Sequence, residues 1–224
     1  MTKNNKAIIL ISGGMDSCIT AAYAVKNDYT LAFLHVNYGQ LTERRELKAF
    51  HNIANFYKVQ DRMIVDITHL SSIGGSCLTD NAIEVPNAKL DNLDIPISYV
   101  PFRNANMLSI AVSWGEVINA DAIFVGAVEE DSSGYPDCRR SFFDAFEQVI
   151  IEGTKPKTIL PIYTPLIHLS KKEIILNGKK MNAPLDLTWS CYKREDKPCE
   201  ECDSCALRAR GFQKAGIEDP LLIL

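Results

Sequence analysis

The residues best suited to chemistry come early. Ser12-Gly13-Gly14-Met15-Asp16-Ser17 follows the apolar run Ala7 to Ile11 and precedes the helix-compatible stretch Cys18 to Val25. The apolar run is rich in β-branched residues and too short to span a membrane, as expected of a buried strand in a parallel sheet. The two glycines reach backbone angles that other residues resist, and they carry no side chain to keep an anion from the amide N–H groups. A helix start leaves those N–H groups unpaired and adds the positive end of the helix dipole, so this stretch reads as a phosphate site. The Ser12 and Ser17 hydroxyls can add hydrogen bonds to phosphate oxygens. Asp16 would repel phosphate unless Mg²⁺ lies between them, which casts it as a holder of a metal–pyrophosphate unit. The plainer alternative is a tight turn with Asp16 or Ser17 as N-cap. A mere turn does not need two serines, two glycines and an acid together. The Walker pattern fails because no lysine follows the glycines until Lys26, and the dinucleotide pattern G-x-G-x-x-G fails as well.

A second cluster lies near the C-terminus, where Cys191, Cys199, Cys202 and Cys205 are spaced C-x₇-C-x₂-C-x₂-C. Four thiolates match tetrahedral Zn²⁺ in a closed structural site, which lends folding free energy to a segment with little core of its own. An iron–sulfur cluster also takes four thiolates, but the spacing to the fourth cysteine differs. One zinc per chain is expected, without catalytic work. Between the two clusters, residues 127–146 concentrate Glu129, Glu130, Asp131 and Asp137 with Tyr135 and Arg139. A carboxylate there can accept from the ring N–H and amino group of a guanine-like base while the aromatic ring stacks on its face. The alternative is a solvated acidic loop. Cys138 has no histidine nearby in sequence and ranks low as a nucleophile. Ser170-Lys171-Lys172-Glu173 reads as a capping box. Its first-turn lysine, Lys171, can neutralise phosphate charge in place of the lysine that the glycine loop lacks.

The elements that must position these groups alternate. "TLAFLHVNYGQ" reads as strand two, "ERRELKAFHNIANFYKV" as helix two with Leu47, Phe50, Ile53, Ala54 and Tyr57 at helical spacing, and "DRMIVDI" as a further strand. Residues 68–96 form a long irregular insertion of the kind that shapes pockets. "YVPFRNANMLSIAVSWGEVINA" follows as strand end, turn and helix with Asn104 as N-cap, then "AIFVGAV" as a buried strand. The expected fold is α/β, a doubly wound parallel sheet, with a nucleotide-binding unit over residues 1–185 and a small four-cysteine helical module over 186–224. The 224 residues suffice for that. A formal charge of −4 and a pI near 5.6 argue against a broad basic face for nucleic acid and favour a small-molecule substrate. Seven cysteines, an odd number, suit a reduced compartment. The apolar run after "MTKNNK" ends after about six residues, short of a signal-peptide core of about 7–15. The expected location is the cytoplasm, with no membrane contact.

S-G-G-M-D-S resembles the pyrophosphate loop of the ATP pyrophosphatases, a family of adenine-nucleotide α-hydrolase-like fold. That resemblance implies ATP with Mg²⁺, bound by Ile11, Ser12, Gly13, Gly14, Met15, Asp16 and Ser17. Ligands of such sheets lie beyond the carboxyl ends of the strands. Asn37, Tyr38 and Gln40 would then meet adenosine, and Arg103 and Asn104 phosphate or a substrate carboxylate. The loop taken with "HVNYGQ", "VPFRNANMLS", "DSSGYPDCR", "PLIHLSKKEI", "TWSCY" and "CEECDSC" followed by "LRARGF" resembles the 7-cyano-7-deazaguanine synthases of queuosine precursor synthesis, in order along nearly the whole chain. The resemblance implies an ATP-dependent ligation of ammonia to 7-carboxy-7-deazaguanine, giving the nitrile through an amide. Asp16, Ser17, Arg103 and Lys171 would be catalytic, Asp131, Tyr135, Asp137 and Arg139 would meet the substrate, and the chain would form a homodimer. Free ammonia or a partner would supply the nitrogen, since no glutaminase segment is recognisable. Rival readings are a pyrophosphate-loop enzyme acting directly on tRNA and a non-catalytic, zinc-bearing ATP sensor.

Overall fold

The structure, a computed structural model, describes residues 5–90, 94–129 and 134–223. The chain runs β1 (Lys6–Leu10), α1 (Met15–Lys26), β2 (Thr30–Asn37), α2 (Glu43–Phe56), β3 (Asp61–Asp66) and a short α3 (His69–Ile73). It continues through α4 (Arg103–Ile118), β4 (Ala122–Phe124), α5 (Arg140–Gly153), β5 (Ile162–Tyr163), α6 (Lys171–Lys180) and α7 (Asp203–Ala215). The strands form one sheet in the order β3-β2-β1-β4-β5, with every neighbouring pair parallel. This is the doubly wound sheet expected from the alternating pattern.

Past Lys6, strand β1 is an unbroken apolar run because both of its faces are covered. Ala7, Ile9 and Ile11 join Phe33 and Phe124 on one face, against Cys18 and Ala21 of α1 and Phe50, Ile53 and Ala54 of α2. Ile8 faces the other way, into a core with Ala32, Ile123, Leu108 and Ala111 that also holds Cys191, Cys202 and Cys205. Helix α7 lies close on α6. A Cβ on Gly211 would stand 2.8 Å from Ile175 Cδ1 and 3.0 Å from Lys171 Cβ.

Three local expectations are corrected. Among the described residues no strand leads directly into α4: the chain turns through Phe102, whose φ of 56° is left-handed, and Phe102 rather than Asn104 is the N-cap. The second half of the acidic segment is helix α5 from Arg140 onward, because Phe143 and Ile150 recur at helical spacing and are buried. The described residues of the 68–96 insertion supply none of the cavity described below and strap the cysteine segment instead. Ala88 N donates to Glu201 O at 2.8 Å, Lys89 N to Asp203 Oδ1 at 3.0 Å and Lys193 Nζ to Asn87 Oδ1 at 2.8 Å. The capping box of α6 forms as read, with Ser170 Oγ accepting from Glu173 N and Glu173 Oε2 accepting from Ser170 N at 2.9 Å.

Candidate active site

Because all strands are parallel, their carboxyl ends share one edge. From β1 the chain winds outward to β2 and β3 on one side, then returns to β4 and β5 on the other, which places the topological switch point between β1 and β4. A cavity of about 290 Å³ opens there. Its walls include Ile11, Ser12, Gly14, Met15, Asp16 and Ser17.

The loop geometry leaves a helix start that can take an anion. Gly13 has a φ of +89°, and a Cβ on it would stand 2.6 Å from the Glu46 carbonyl oxygen, so only glycine fits. Gly14 is the N-cap of α1 and no side chain caps that helix, which rules out Asp16 or Ser17 as a simple cap and leaves the first-turn amides without one. The serines brace the loop instead. Ser17 Oγ donates to Gly14 O at 2.9 Å, Ser12 Oγ lies 3.2 Å from Ser17 Oγ, and Gly14 N donates to Ser12 Oγ at 3.2 Å. Asp16 Oδ2 accepts from Lys171 Nζ at 2.6 Å, while Asp16 Oδ1 is buried without a partner among the described residues. The lysine expected from the α6 capping box therefore reaches the loop. Gly126, just past β4, presses on the loop from the far side, and a Cβ there would stand 2.9 Å from Asp16 C and Ser17 N.

Of the other residues singled out in the sequence, Tyr38, Arg103, Asn104 and Tyr135 line the cavity. Arg103 Nη1 donates to the Tyr38 hydroxyl at 3.0 Å, its guanidinium carbon lies 5.0 Å from the Tyr38 ring centre, and its Nε has no partner among the described residues. Burial pushes the Tyr38 phenol up to about 12, so it stays neutral. Tyr135 hydrogen-bonds Ser98 through its hydroxyl at 2.8 Å. Asn37 turns into the core, its Oδ1 3.0 Å from His35 Nε2, and Gln40 Oε1 accepts from Tyr38 N at 2.9 Å. Asp137 is buried against the start of α4, where its Oδ2 accepts from Asn104 N at 3.0 Å, and Arg139 is the exposed N-cap of α5. Gly13, Asn37, Gln40, Asp137 and Arg139 do not line the cavity, and Glu130 and Asp131 lie outside the described residues. Cys138 does line it, but burial pushes its thiol up to about 11, which keeps it protonated and a poor nucleophile.

Several cavity residues had no reading of their own in the sequence. Glu46 of α2 is one, its Oε1 accepting from Thr42 Oγ1 at 2.8 Å and its Oε2 from Gln40 Nε2 at 3.1 Å. Burial pushes this carboxyl up to about 7, against the lowering effect of those two donors and of the Arg103 charge. In sequence it is one charge in the run "ERRE", with nothing to mark it. Trp189 and Tyr192 also line the cavity, and the Arg45 guanidinium carbon lies 4.2 Å from the Trp189 ring centre. Their only signal was their place in "TWSCY" beside Cys191.

The four C-terminal cysteines come together. One sulfur from each of Cys191, Cys199, Cys202 and Cys205 lies within 4.8 Å of the others, a set that could hold a metal ion. The Cys191 sulfur accepts backbone N–H groups from Lys193, Arg194 and Cys199 at 3.3–3.4 Å, and Cys199 accepts from Cys202 N at 3.4 Å. Hydrogen bonds from Cys202 and Cys205, with those amides, hold the Cys191 thiol far below the usual thiol range. Amides turned on a thiolate are the surroundings that a bound metal favours.

The family profile described as "Queuosine biosynthesis protein QueC" matches residues 6–216. The chain belongs to this family. Over 216 residues it is 57% identical to the 7-cyano-7-deazaguanine synthase of Chloroherpeton thalassium and 56% identical to that of Chlorobium phaeobacteroides, with 96% of this chain and 96% of each relative covered. These relatives of the QueC-family chain are enzymes. Among solved structures, a 4-thiouridine synthetase in complex with RNA and bound ATP superposes with a TM-score of 0.55 at 19% identity, covering 95% of this chain and 50% of that one. That likeness speaks for the fold alone. The fold class and the family resemblance drawn from the sequence are both met, and no helix among the described residues is long and apolar enough to cross a membrane.

Proposed function

We propose that this chain is a 7-cyano-7-deazaguanine synthase. It would use Mg–ATP to convert 7-carboxy-7-deazaguanine and ammonia into the nitrile. The observation that carries the reading is the uncapped start of α1 at the switch point with Lys171 drawn onto it, an anion site in a QueC-family chain. A carboxylate is a poor acyl donor until one of its oxygens becomes a phosphate ester. In the first half-reaction a substrate carboxylate oxygen attacks the α-phosphorus of ATP and pyrophosphate leaves. Ammonia then displaces AMP from the acyl carbon, giving the amide and releasing a proton. A second ATP activates the amide oxygen in the same way, with pyrophosphate leaving, and loss of AMP and both amide N–H protons then gives the nitrile.

In this reading the α1 amides and the Ser12 and Ser17 hydroxyls receive the pyrophosphate, Lys171 offsets its charge, and Asp16 Oδ1 is left for Mg²⁺. Arg103, with Nε unpartnered, meets the substrate carboxylate, and Tyr135 lies against the ring system. Tyr38 lines the cavity beside Arg103, with Asn37 and Gln40 behind it and off the cavity wall. The supply of four sulfurs, with no other ligand among the described residues, supports one structural zinc per chain, which would order the segment carrying Trp189 and Tyr192. Seven free cysteines support a reducing cytoplasm. The exposed apolar side chains Phe102, Val117 and Val149 on and beside α4 and α5 support a homodimer. The test is direct: protein, Mg–ATP, ammonium and 7-carboxy-7-deazaguanine are incubated, and the nitrile is sought by mass. The same mixture without ammonium should yield none, and absence of nitrile in the full mixture would sink the assignment.

A further inference from the structure

A deazaguanine presents two parallel donors on its pyrimidinone edge, a ring N–H and an exocyclic amino group. A carboxylate, planar with two acceptor oxygens, is the side chain that meets both at once. Among the described residues two carboxylates line the cavity, Asp16 and Glu46. Asp16 belongs to the phosphate loop and is bonded to Lys171. Asp137 lies off the cavity, its Oδ2 taken up by the α4 amide of Asn104.

Glu46 is held ready. Gln40 is locked end to end, because its Oε1 accepts from Tyr38 N at 2.9 Å and its Nε2 must then face Glu46, which it meets at 3.1 Å. Thr42 Oγ1 fixes the other carboxylate oxygen at 2.8 Å. Each oxygen thus accepts one protein hydrogen bond and has a second lone pair left. Beside it in the cavity wall are flat and apolar surfaces: the Tyr38 ring, on which the Arg103 guanidinium rests, with Val36 and Met107. The acid is costly where it stands, since burial disfavours its charge and the protein supplies only two donors to offset that.

We propose that Glu46 is the recognition residue for the substrate's pyrimidinone edge, accepting the ring N–H and the exocyclic amino group on its two carboxylate oxygens. The proposal rests on the substrate assignment above. It makes the β2–α2 connection, through Tyr38, Gln40 and Thr42, the frame of the base-reading site.

The experiment compares wild type with Glu46→Gln, using 7-carboxy-7-deazaguanine and an analogue lacking the exocyclic amino group. KM and kcat are measured for each, together with ATP affinity. Wild type should favour the true substrate by about 10- to 100-fold, the range for a charge-assisted pair lost in a buried site. Glu46→Gln should raise KM for the substrate by a similar factor, change kcat less, lose most of the preference and keep its ATP affinity. Glu46→Asp keeps both acceptors and should retain the preference while raising KM by less. Unchanged KM and preference in Glu46→Gln would overturn the proposal. So would an equal weakening of substrate, analogue and ATP, which marks a merely structural residue. A preference lost in Asp131→Ala but kept in Glu46→Gln would also overturn it. If wild type makes no nitrile at all, the substrate assignment itself has failed, and that is seen before any variant is compared.

Discussion

Glu46 carries a carboxyl group whose charged form the fold disfavours. Its folded-state carboxyl is raised to about 7 from an ordinary value of 4.5, so the native state holds a proton that the unfolded chain has already released. Stability from this group is complete below about pH 4.5 and is lost as pH rises through about 7. Glu46→Gln cannot ionise, and it should gain on wild type across that window by on the order of 2 kcal/mol at pH 8. Denaturation midpoints measured from pH 4 to pH 8 check this, and curves that stay parallel would refute it. The phosphate loop makes the opposite trade. Asp16→Asn and Ser17→Ala remove groups that the proposed function sets on Mg–ATP, and turnover should fall by about 100-fold or more, while loss of the Lys171 pair or of the Gly14 brace lowers the melting midpoint only modestly. Near-wild-type turnover in both would remove the loop from the chemistry.

At the scale of elements, the site depends on how closely β4 and α2 approach the start of α1. Gly126 and Gly13 set those distances, one through the space a Cβ would need and the other through that space and a left-handed φ. Gly126→Ala should push the Asp16–Ser17 peptide out of line and weaken ATP binding by about tenfold or more. Circular dichroism should keep its native form, because the sheet core is untouched. Unchanged ATP affinity would mean that the loop has room to move. Much at this scale was legible beforehand: the apolar run of β1, the helical spacing of Phe50, Ile53 and Ala54, and the Ser170–Glu173 box all signal through local periodicity or capping chemistry. The start of α4 was not. Asn104 has the right chemistry for an N-cap, yet Phe102 takes that position in the left-handed region, and the Asn104 amide finds its acceptor 33 residues away on Asp137.

At the scale of the molecule, the cysteine segment is part of the cavity. Trp189, Ser190, Tyr192, Ser204, Leu207 and Arg208 line it, and Arg208 is bound twice to Asp219, at 2.6 and 2.8 Å, and to Thr188 at 2.7 Å. Removing the metal should therefore disturb substrate binding as well as stability. Purified protein should hold about one zinc per chain. Chelation, or Cys→Ser at 191, 199, 202 or 205, should lower the melting midpoint and shift tryptophan emission to the red as Trp189, 3% exposed when folded, meets water. A metal-free protein with native emission and full activity would contradict this.

The sequence alone determined what local chemistry can encode. A strand ending in two glycines must turn, a helix start exposes amides, four cysteines at short spacings converge, and seven ordered motifs together define a family. Only the tertiary structure decided which groups share the cavity. It brought Lys171 onto Asp16 across 155 residues, turned Asn37 inward to His35, committed Asp137 to a helix start and lifted Glu46 from a charged run into the cavity wall. The physical reason is that a side chain's direction and burial depend on partners distant in sequence. The periodicity and spacing of a segment say nothing about what will stand opposite it.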